Sequence, residues 1–255
     1  MSKIFFRVRG EGIPVILVHG FPMNHSVWDE FSVKLSQNFK VYTPDLPGFG
    51  KSELHSSLTI DSVAGELINW LVEEGLSKCV LIGHSLGGYV SLAMVEKAPE
   101  LFSGLGLFHS TSYADSLEKK ESRTKTVEFI RKNGVLAFTA NFIPPLFADQ
   151  NHPAISSVRD ITIQSTEETV IAYTLAMRDR PDRQGILKQF QNPVLLLGGE
   201  KDPGISPESL SSQAQICRIP DLHILPEVAH MGMFEKATET GDIIRSFINR
   251  CQSTL

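Results

Sequence analysis

One serine in this chain stands where a nucleophile could be built. Gly83-His84-Ser85-Leu86-Gly87 is a G-x-S-x-G segment, and Gly88 follows it. With glycine and serine each near 7% usage, a chain of 255 residues contains such a pattern by accident roughly one time in ten, so its position decides. The apolar run Cys79–Ile82 ends immediately before it, and an amphipathic helical pattern (Tyr89, Leu92, Ala93, Val95) begins immediately after. A serine on such a strand-to-helix turn is held in a strained backbone conformation with its hydroxyl lifted above the sheet. Gly83 and Gly87 suit the turn because side chains there would collide as strand and helix close on each other. Ser85 also opens the helix, where amide donors and the positive dipole end favour negative charge. The bland alternative is a serine N-cap with glycines for a turn.

A serine attacking a carbonyl needs a base to take its proton, and histidine suits that task because its free pKa of about 6.5 lies near working pH. Eight are available: His19, His25, His55, His84, His109, His152, His223 and His230. Acids that could orient such a ring late in the chain are Glu200, Asp202 and Asp221. Other chemistry is thin. Cys79, Cys217 and Cys251 are too few and too scattered for a disulfide framework or a zinc cluster, and neither CxxC nor HExxH occurs. Cys79 reads as part of a buried strand, Cys217 as beside another, and Cys251 as part of a frayed tail. Gly50-Lys51-Ser52 looks like the end of a phosphate-binding loop, but the glycine required five places before Gly50 is Asp45. No metal and no cofactor is expected.

The elements that must position these residues alternate short apolar runs with longer amphipathic ones, the pattern of a mostly parallel sheet. Residues 4–8 read as an antiparallel edge strand, and Pro14–His19, Phe39–Thr43, Cys79–Ile82 and Leu105–Phe108 as sheet strands. Continuous apolar runs of this kind fit strands covered on both faces. Thr59–Glu74 carries apolar residues at three-to-four spacing and stops at Gly75, the mark of a helix; Ser85–Lys97 reads as another. From about Ser112 to Arg183 buried-strand runs disappear while helical patterns and prolines take over. Pro193–Leu197 resumes the sheet, a strand near Leu222–Leu225 follows, and Ala237–Arg250 closes as a helix.

Composition bounds the partners. The chain is 42% hydrophobic and 21% charged, values of an ordinary globular protein, and its length suits one large domain with an inserted subdomain. A net charge of −5 without a long basic cluster argues against nucleic acid or an anionic membrane. Apolar runs are strand-sized, and the first ten residues carry charges where a signal peptide needs an apolar stretch. The expectation is a cytoplasmic protein acting on a small molecule, as a monomer or homodimer.

Five segments in order carry a family resemblance: His19-Gly20-Phe21-Pro22, residues 45–52 (DLPGFGKS), the serine turn, Gly199-Glu200-Lys201-Asp202, and His230 followed by Glu235. Together they resemble the α/β-hydrolase superfamily, in particular its small lid-bearing carboxylesterases and lactonases, over nearly the whole chain. The resemblance implies a mostly parallel central sheet flanked by helices. Residues 1–111 and 186–255 would form that α/β-hydrolase core, and 112–185 a helical lid. It implies a catalytic triad in the order Ser85, Asp202, His230, since partners follow the nucleophile as acid and then histidine. His223 falls inside the last strand, Glu200 too early and Asp221 on the approach to that strand. The amides of Leu86 and Phe21 would form the oxyanion hole, because Pro22 has no N–H. His19 is expected to prop the Phe21 loop, and Met23, Phe142 and Met231 to line the substrate pocket.

The lid is apolar on one side (Phe129, Leu136, Phe138, Phe142, Ile143, Leu146, Phe147, Tyr173, Met177), which suits a largely apolar acyl or alkoxy group. Arg178-Asp179-Arg180-Pro181-Asp182-Arg183 reads as its salt-bridged return hinge, or as a place where one arginine reaches an acidic substrate group. The leading reading is a cofactor-free serine hydrolase of small esters acting through an acyl-enzyme on Ser85. A lactonase or C–C bond hydrolase would use the same triad, and a ligand-binding or sensing protein would keep the scaffold without the turnover.

Overall fold

The computed structural model describes residues 3–54 and 58–252; His55, one of the eight histidines, lies outside them. In chain order the strands are β1 (Phe6–Arg9), β2 (Pro14–Val18), β3 (Lys40–Pro44), β4 (Cys79–His84), β5 (Phe102–Phe108), β6 (Val194–Gly199) and β7 (Pro220–Leu225). The helices are α1 (Asp29–Leu35), α2 (Ile60–Glu73), α3 (Leu86–Lys97), α4 (Leu117–Phe142), α5 (Ala154–Thr162), α6 (Glu167–Asp179), α7 (Gln184–Gln189), α8 (Pro207–Ile216), α9 (Gly232–Glu235) and α10 (Ala237–Gln252).

The strands form one seven-stranded sheet in the order β1-β3-β2-β4-β5-β6-β7. Only β1 runs antiparallel, paired with β3 at the edge; the other pairings are parallel. Alternate side chains of a strand enter opposite faces, and the core divides accordingly. Ile16, Val18, Leu81, Leu105 and Leu107 pack on one face with α2 and α3 residues. Val15, Leu17, Val80, Ile82 and Leu195 pack on the other with Trp28, Phe247 and Ile248. Every residue of β4 is buried, as expected of a strand covered on both sides.

Local signals set the helix ends. Thr59 caps α2 by accepting from the Ser62 amide while the Ser62 hydroxyl accepts from the Thr59 amide, and Gly75 ends the segment at φ +65°. The amphipathic period of α10 runs on to Gln252, which places Cys251 on its buried face. Cys251 is therefore a core residue rather than part of a frayed tail. It fills the space left by Gly104, where an added Cβ would meet its sulfur at 2.3 Å.

Between β5 and β6 the chain folds into α4–α7, with α4 broken at Gly134, a residue with φ +79°. This segment is tied to the sheet's loops by named bonds. The Tyr173 hydroxyl donates to the Pro47 carbonyl (2.9 Å), Thr169 to Gly48 (3.1 Å) and Ser165 to Pro22 (3.2 Å). At its return, buried Arg183 bonds Glu96 at 2.8 Å and Asp61 at 2.6 Å.

Candidate active site

Ser85 sits between β4 and α3, at the carboxyl end of a central strand, where open α/β sheets bind ligands. Its φ of +51° and ψ of −113° are a backbone conformation that costs a non-glycine residue about 1–3 kcal/mol and persists only when its surroundings enforce it. They do. The Ser85 amide donates to Phe108 O at 3.0 Å, and its carbonyl accepts from the Gly88 amide at 2.9 Å and the Ser110 hydroxyl at 2.7 Å. A Cβ on Gly83 would sit 2.3 Å from the Gly87 carbonyl carbon, and one on Gly87 would sit 2.4 Å from Val18 O. The glycines are what let strand and helix close.

His230 lies after β7, and Asp202 after β6. The His230 Nδ1–H donates to Asp202 Oδ2 at 2.7 Å. With Nδ1 committed, Nε2 is the nitrogen free for another partner. The His230 backbone is held as well: its amide donates to Leu146 O at 2.9 Å, and its carbonyl accepts from His84 Nε2–H at 2.9 Å. Asp202 Oδ1 accepts from the amides of Gly204 (2.8 Å) and Ile205 (3.0 Å), so one carboxylate oxygen shapes its own turn while the other faces the imidazole.

A second ring reaches the same carboxylate. His109 Nδ1–H donates to Asp202 Oδ2 at 2.9 Å, while its Nε2 accepts from the Gly232 amide at 3.3 Å. Burial would raise the Asp202 pKa, but His230 and His109 around it hold the group well below the usual carboxylate range. Burial pushes His109 down, and pushes His84 well down with help from His230 and His109, so both rings stay neutral. His109, Asp202 and His230 bring possible metal-ligand atoms within 4.8 Å of one another. The nitrogens facing Asp202 carry protons in this hydrogen-bonding pattern, however, so they act as donors to the carboxylate, not as lone pairs for a cation.

The loop after β2 approaches Ser85 from the other side. His19 Nδ1–H donates to Gly20 O at 2.9 Å, and its Nε2 accepts from the Leu46 amide at 3.0 Å, which braces the loop as expected. Burial lowers the His19 pKa to about 4, so it braces as a neutral ring. Gly20 is needed for His84: a Cβ there would sit 2.4 Å from His84 Nδ1. Among the described residues the Phe21 amide has no acceptor, and neither has that of Leu86, the first residue of α3.

Ser85, His230 and Phe21 border one cavity of about 580 Å³, lined elsewhere by residues of α4 and α6. Phe138, Phe142, Leu146 and Met177 give it an apolar wall. Phe142, expected at the substrate pocket, is one of the residues lining this cavity. Met23 and Met231 are not: both are sealed in the core beneath the cavity, packed with Val27, Trp28 and Phe108. Phe129 and Leu136 point outward, 39% and 64% exposed. His223 is occupied by Asp221 at 2.8 Å, and His25 by Asp45 at 2.7 Å. The carboxylate of Asp45 also accepts the Lys51 amide at 2.9 Å, so residues 45–52 form a tight turn around a buried carboxylate.

A model of the alpha/beta hydrolase family matches residues 15–242. The chain belongs to that family. Among solved structures, this α/β-hydrolase is similar to a thermophilic esterase from Thermogutta terrifontis, solved with malate bound, at 31% identity and a TM-score of 0.92 over 98% of this chain and 94% of that one. Among curated proteins, it is 25% identical to Lipase 1 of Psychrobacter immobilis over 92% of this chain and 77% of the relative. It is also 26% identical to the pimeloyl-[acyl-carrier protein] methyl ester esterase of Wigglesworthia glossinidia brevipalpis over 79% and 80% of the two chains.

Sequence reasoning about this α/β-hydrolase did not single out His109 or His84. Both lie at strand ends facing the later loops, and only the sheet order brings them there. The one local trace is His109's φ of +48°, which no pattern of residue types announces.

Proposed function

We propose that this protein, a hydrolase acting on ester bonds, is a cofactor-free serine hydrolase that cleaves small, largely apolar carboxylic esters through an acyl-enzyme on Ser85. The observation that carries the reading is the 2.7 Å bond from His230 to Asp202, made beside a cavity that Ser85 also borders. His230 Nε2 takes the hydroxyl proton as Ser85 Oγ bonds to the carbonyl carbon. The oxyanion accepts from the Phe21 and Leu86 amides, donors that need no reorganisation as charge develops. His230 then gives its proton to the departing alkoxide, and the alcohol leaves. Water, deprotonated by the same nitrogen, attacks the acyl-enzyme, and as the acid is released His230 returns that proton to Ser85 Oγ, restoring the free hydroxyl. Asp202 holds the ring and its charged form throughout.

In this reading residues 112–185 are a lid that shapes the cavity and selects the acyl group. The Leu146–His230 backbone bond supports it, since it ties that segment to the loop carrying the base. The net charge of −5 supports a small-molecule partner over nucleic acid, and we place the enzyme in the cytoplasm as a monomer or homodimer.

The test is hydrolysis of p-nitrophenyl esters of graded chain length beside a set of lactones, with Ser85→Ala as control. Ester cleavage into two fragments, lost in the variant, is expected. Turnover confined to lactones, each giving a single hydroxy acid, would move the assignment to a lactonase. Absence of turnover would favour a binding protein on this scaffold.

A further inference from the structure

The cavity holding Ser85 has a cationic end whose charge the protein does not balance. Among the described residues lining it are three cations, Lys119, Arg123 and Arg180, and one acidic side chain, Asp115. This imbalance stands in a chain whose net charge is −5. Asp115 is shared: Arg180 donates to its Oδ1 at 2.6 Å, and the Arg123 Nε–H donates to its Oδ2. Buried Arg183 offers the contrast: it bonds two carboxylates, Glu96 and Asp61, the second of which it shares with Lys97. A largely buried guanidinium without its own counter-charge is costly, so the arrangement is suited to an anion that arrives from outside.

Hydrogen-bond capacity says which cation is available. Both terminal nitrogens of Arg180 are consumed: besides Asp115 they donate to Met177 O (2.7 Å) and Tyr113 O (2.9 Å), and the group stacks 3.9 Å over the Tyr89 ring, which leaves only its buried Nε without a hydrogen-bond partner. Those of Arg123 are not. Its Nε is spent on Asp115, but among the described residues its terminal pair of nitrogens meets only the Met177 thioether, at 3.6 Å, a weak acceptor. Its side chain is only 15% exposed. That open pair is the half of a guanidinium that grips a carboxylate with two parallel bonds.

The helix presenting it agrees. Lys119, Ser122, Arg123 and Thr126 all line the cavity, at the i, i+3, i+4, i+7 spacing of one α4 face. Lys119 and Ser122 on this face are exposed and Arg123 and Thr126 half-buried, so a cationic, hydroxylated edge of α4 borders the cavity while Val127 and Ile130 pack into the core. Lys119 has no ion-pair partner among the described residues. Across the cavity, Tyr89 lies about 6 Å of helix rise, roughly one turn, from Ser85. The cationic end and the nucleophile border the same cavity, and Phe138 and Phe142 form an apolar stretch of its wall.

We propose that Arg123, assisted by Lys119, binds a terminal carboxylate of the substrate, so that the favoured esters are half-esters of short dicarboxylic acids. This rests on the serine-hydrolase reading above and refines its substrate class: an apolar chain between the scissile ester and a remote anion.

Binding and turnover test it separately. Calorimetry on the Ser85→Ala protein with glutarate, adipate and the length-matched neutral diamides reads the subsite without catalysis. The expected result is that the dianions bind at least about tenfold tighter than the diamides. Arg123→Gln should remove that preference, and Arg123→Lys, which keeps a point charge without the fork, should restore part of it. Because Arg123 also holds Asp115, the exposed Lys119→Met is the second variant, with a preference reduced about threefold. In turnover, wild type should cleave monoethyl adipate or glutarate with kcat/KM about tenfold above ethyl esters of monoacids of equal length. Equal binding of diacids and diamides, or a preference that survives Arg123→Gln, overturns the subsite. Loss of all ester turnover alongside intact diacid binding would instead overturn the hydrolase reading and leave the anion site standing.

Discussion

His109 and His230, 121 residues apart in the chain, donate through Nδ1 to the same oxygen, Asp202 Oδ2, at 2.9 and 2.7 Å. Counting the Gly204 and Ile205 amides on Oδ1, the carboxylate has four donors and stays ionised in a buried site. A hydrogen bond to a charged group contributes about 1.5–3 kcal/mol. In the proposed mechanism His109 is thus a positioning residue for Asp202. Replacing it with Phe should lower kcat/KM about tenfold and move the acid limb of its pH profile upward, because a carboxylate with fewer donors stabilises the protonated base more strongly. His109→Asn, which keeps one donor, should restore part of both. A limb that does not move in the Phe variant would reduce His109 to packing.

The serine turn makes a second expectation through its glycines. An alanine at Gly87 would bring Cβ within 2.4 Å of Val18 O and 2.8 Å of His19 O, both backbone atoms that lead into the Phe21 loop. Gly87→Ala should cost about 1–3 kcal/mol and reduce kcat, as the loop is pushed back. Gly65, inside α2 with nothing within 4 Å of such a Cβ, is the control. Gly65→Ala should gain about 0.5–1 kcal/mol with activity unchanged, by helix propensity alone. Denaturant titration and a steady-state assay of both variants check the pair; equal stabilities would contradict it.

Buried neutral histidines predict an acid-sensitive fold. The His19 pKa falls to about 4 on burial, and His84 and His109 are lowered too. Below about pH 6.5 the unfolded chain binds protons that the native state refuses, so stability falls with pH until the folded pKa is reached. His19 alone accounts for about 3 kcal/mol lost between pH 7 and 4, and fully regained above about pH 7. Asp202, depressed rather than raised, adds its loss only below about pH 4. Unfolding free energies measured from pH 8 to 4 should decline through this window; a flat profile would mean these rings are solvated.

Much of this architecture is legible in residue order, for reasons that differ by element. β4 and the serine turn are readable because every constraint is local: an unbroken apolar run, glycines at the crowded positions, an amphipathic helix after them. His230 and Asp202 are nameable because each follows a strand-like run by a few residues. His109 is not, because its partner depends on β5 lying beside β6, with the His109 amide on Leu197 O at 2.7 Å, and no one-dimensional pattern contains that adjacency. Met23 and Met231 illustrate the opposite failure: apolar residues near a site read equally as pocket or core, and packing made them core. Lys119, Ser122, Arg123 and Thr126 stand at the spacing of one helix face, but that this face borders the cavity follows only from how α4 packs with α6.

In the proposed mechanism the Ser85 hydroxyl is activated by His230 under the hold of Asp202. Intact-mass and peptide analysis after treatment with a fluorophosphonate tests it most directly. One adduct per chain, located on Ser85, absent from Ser85→Ala and formed orders of magnitude more slowly in His230→Ala and Asp202→Asn, is the predicted result. An unlabelled wild-type protein, or an adduct on any residue other than Ser85, would contradict it.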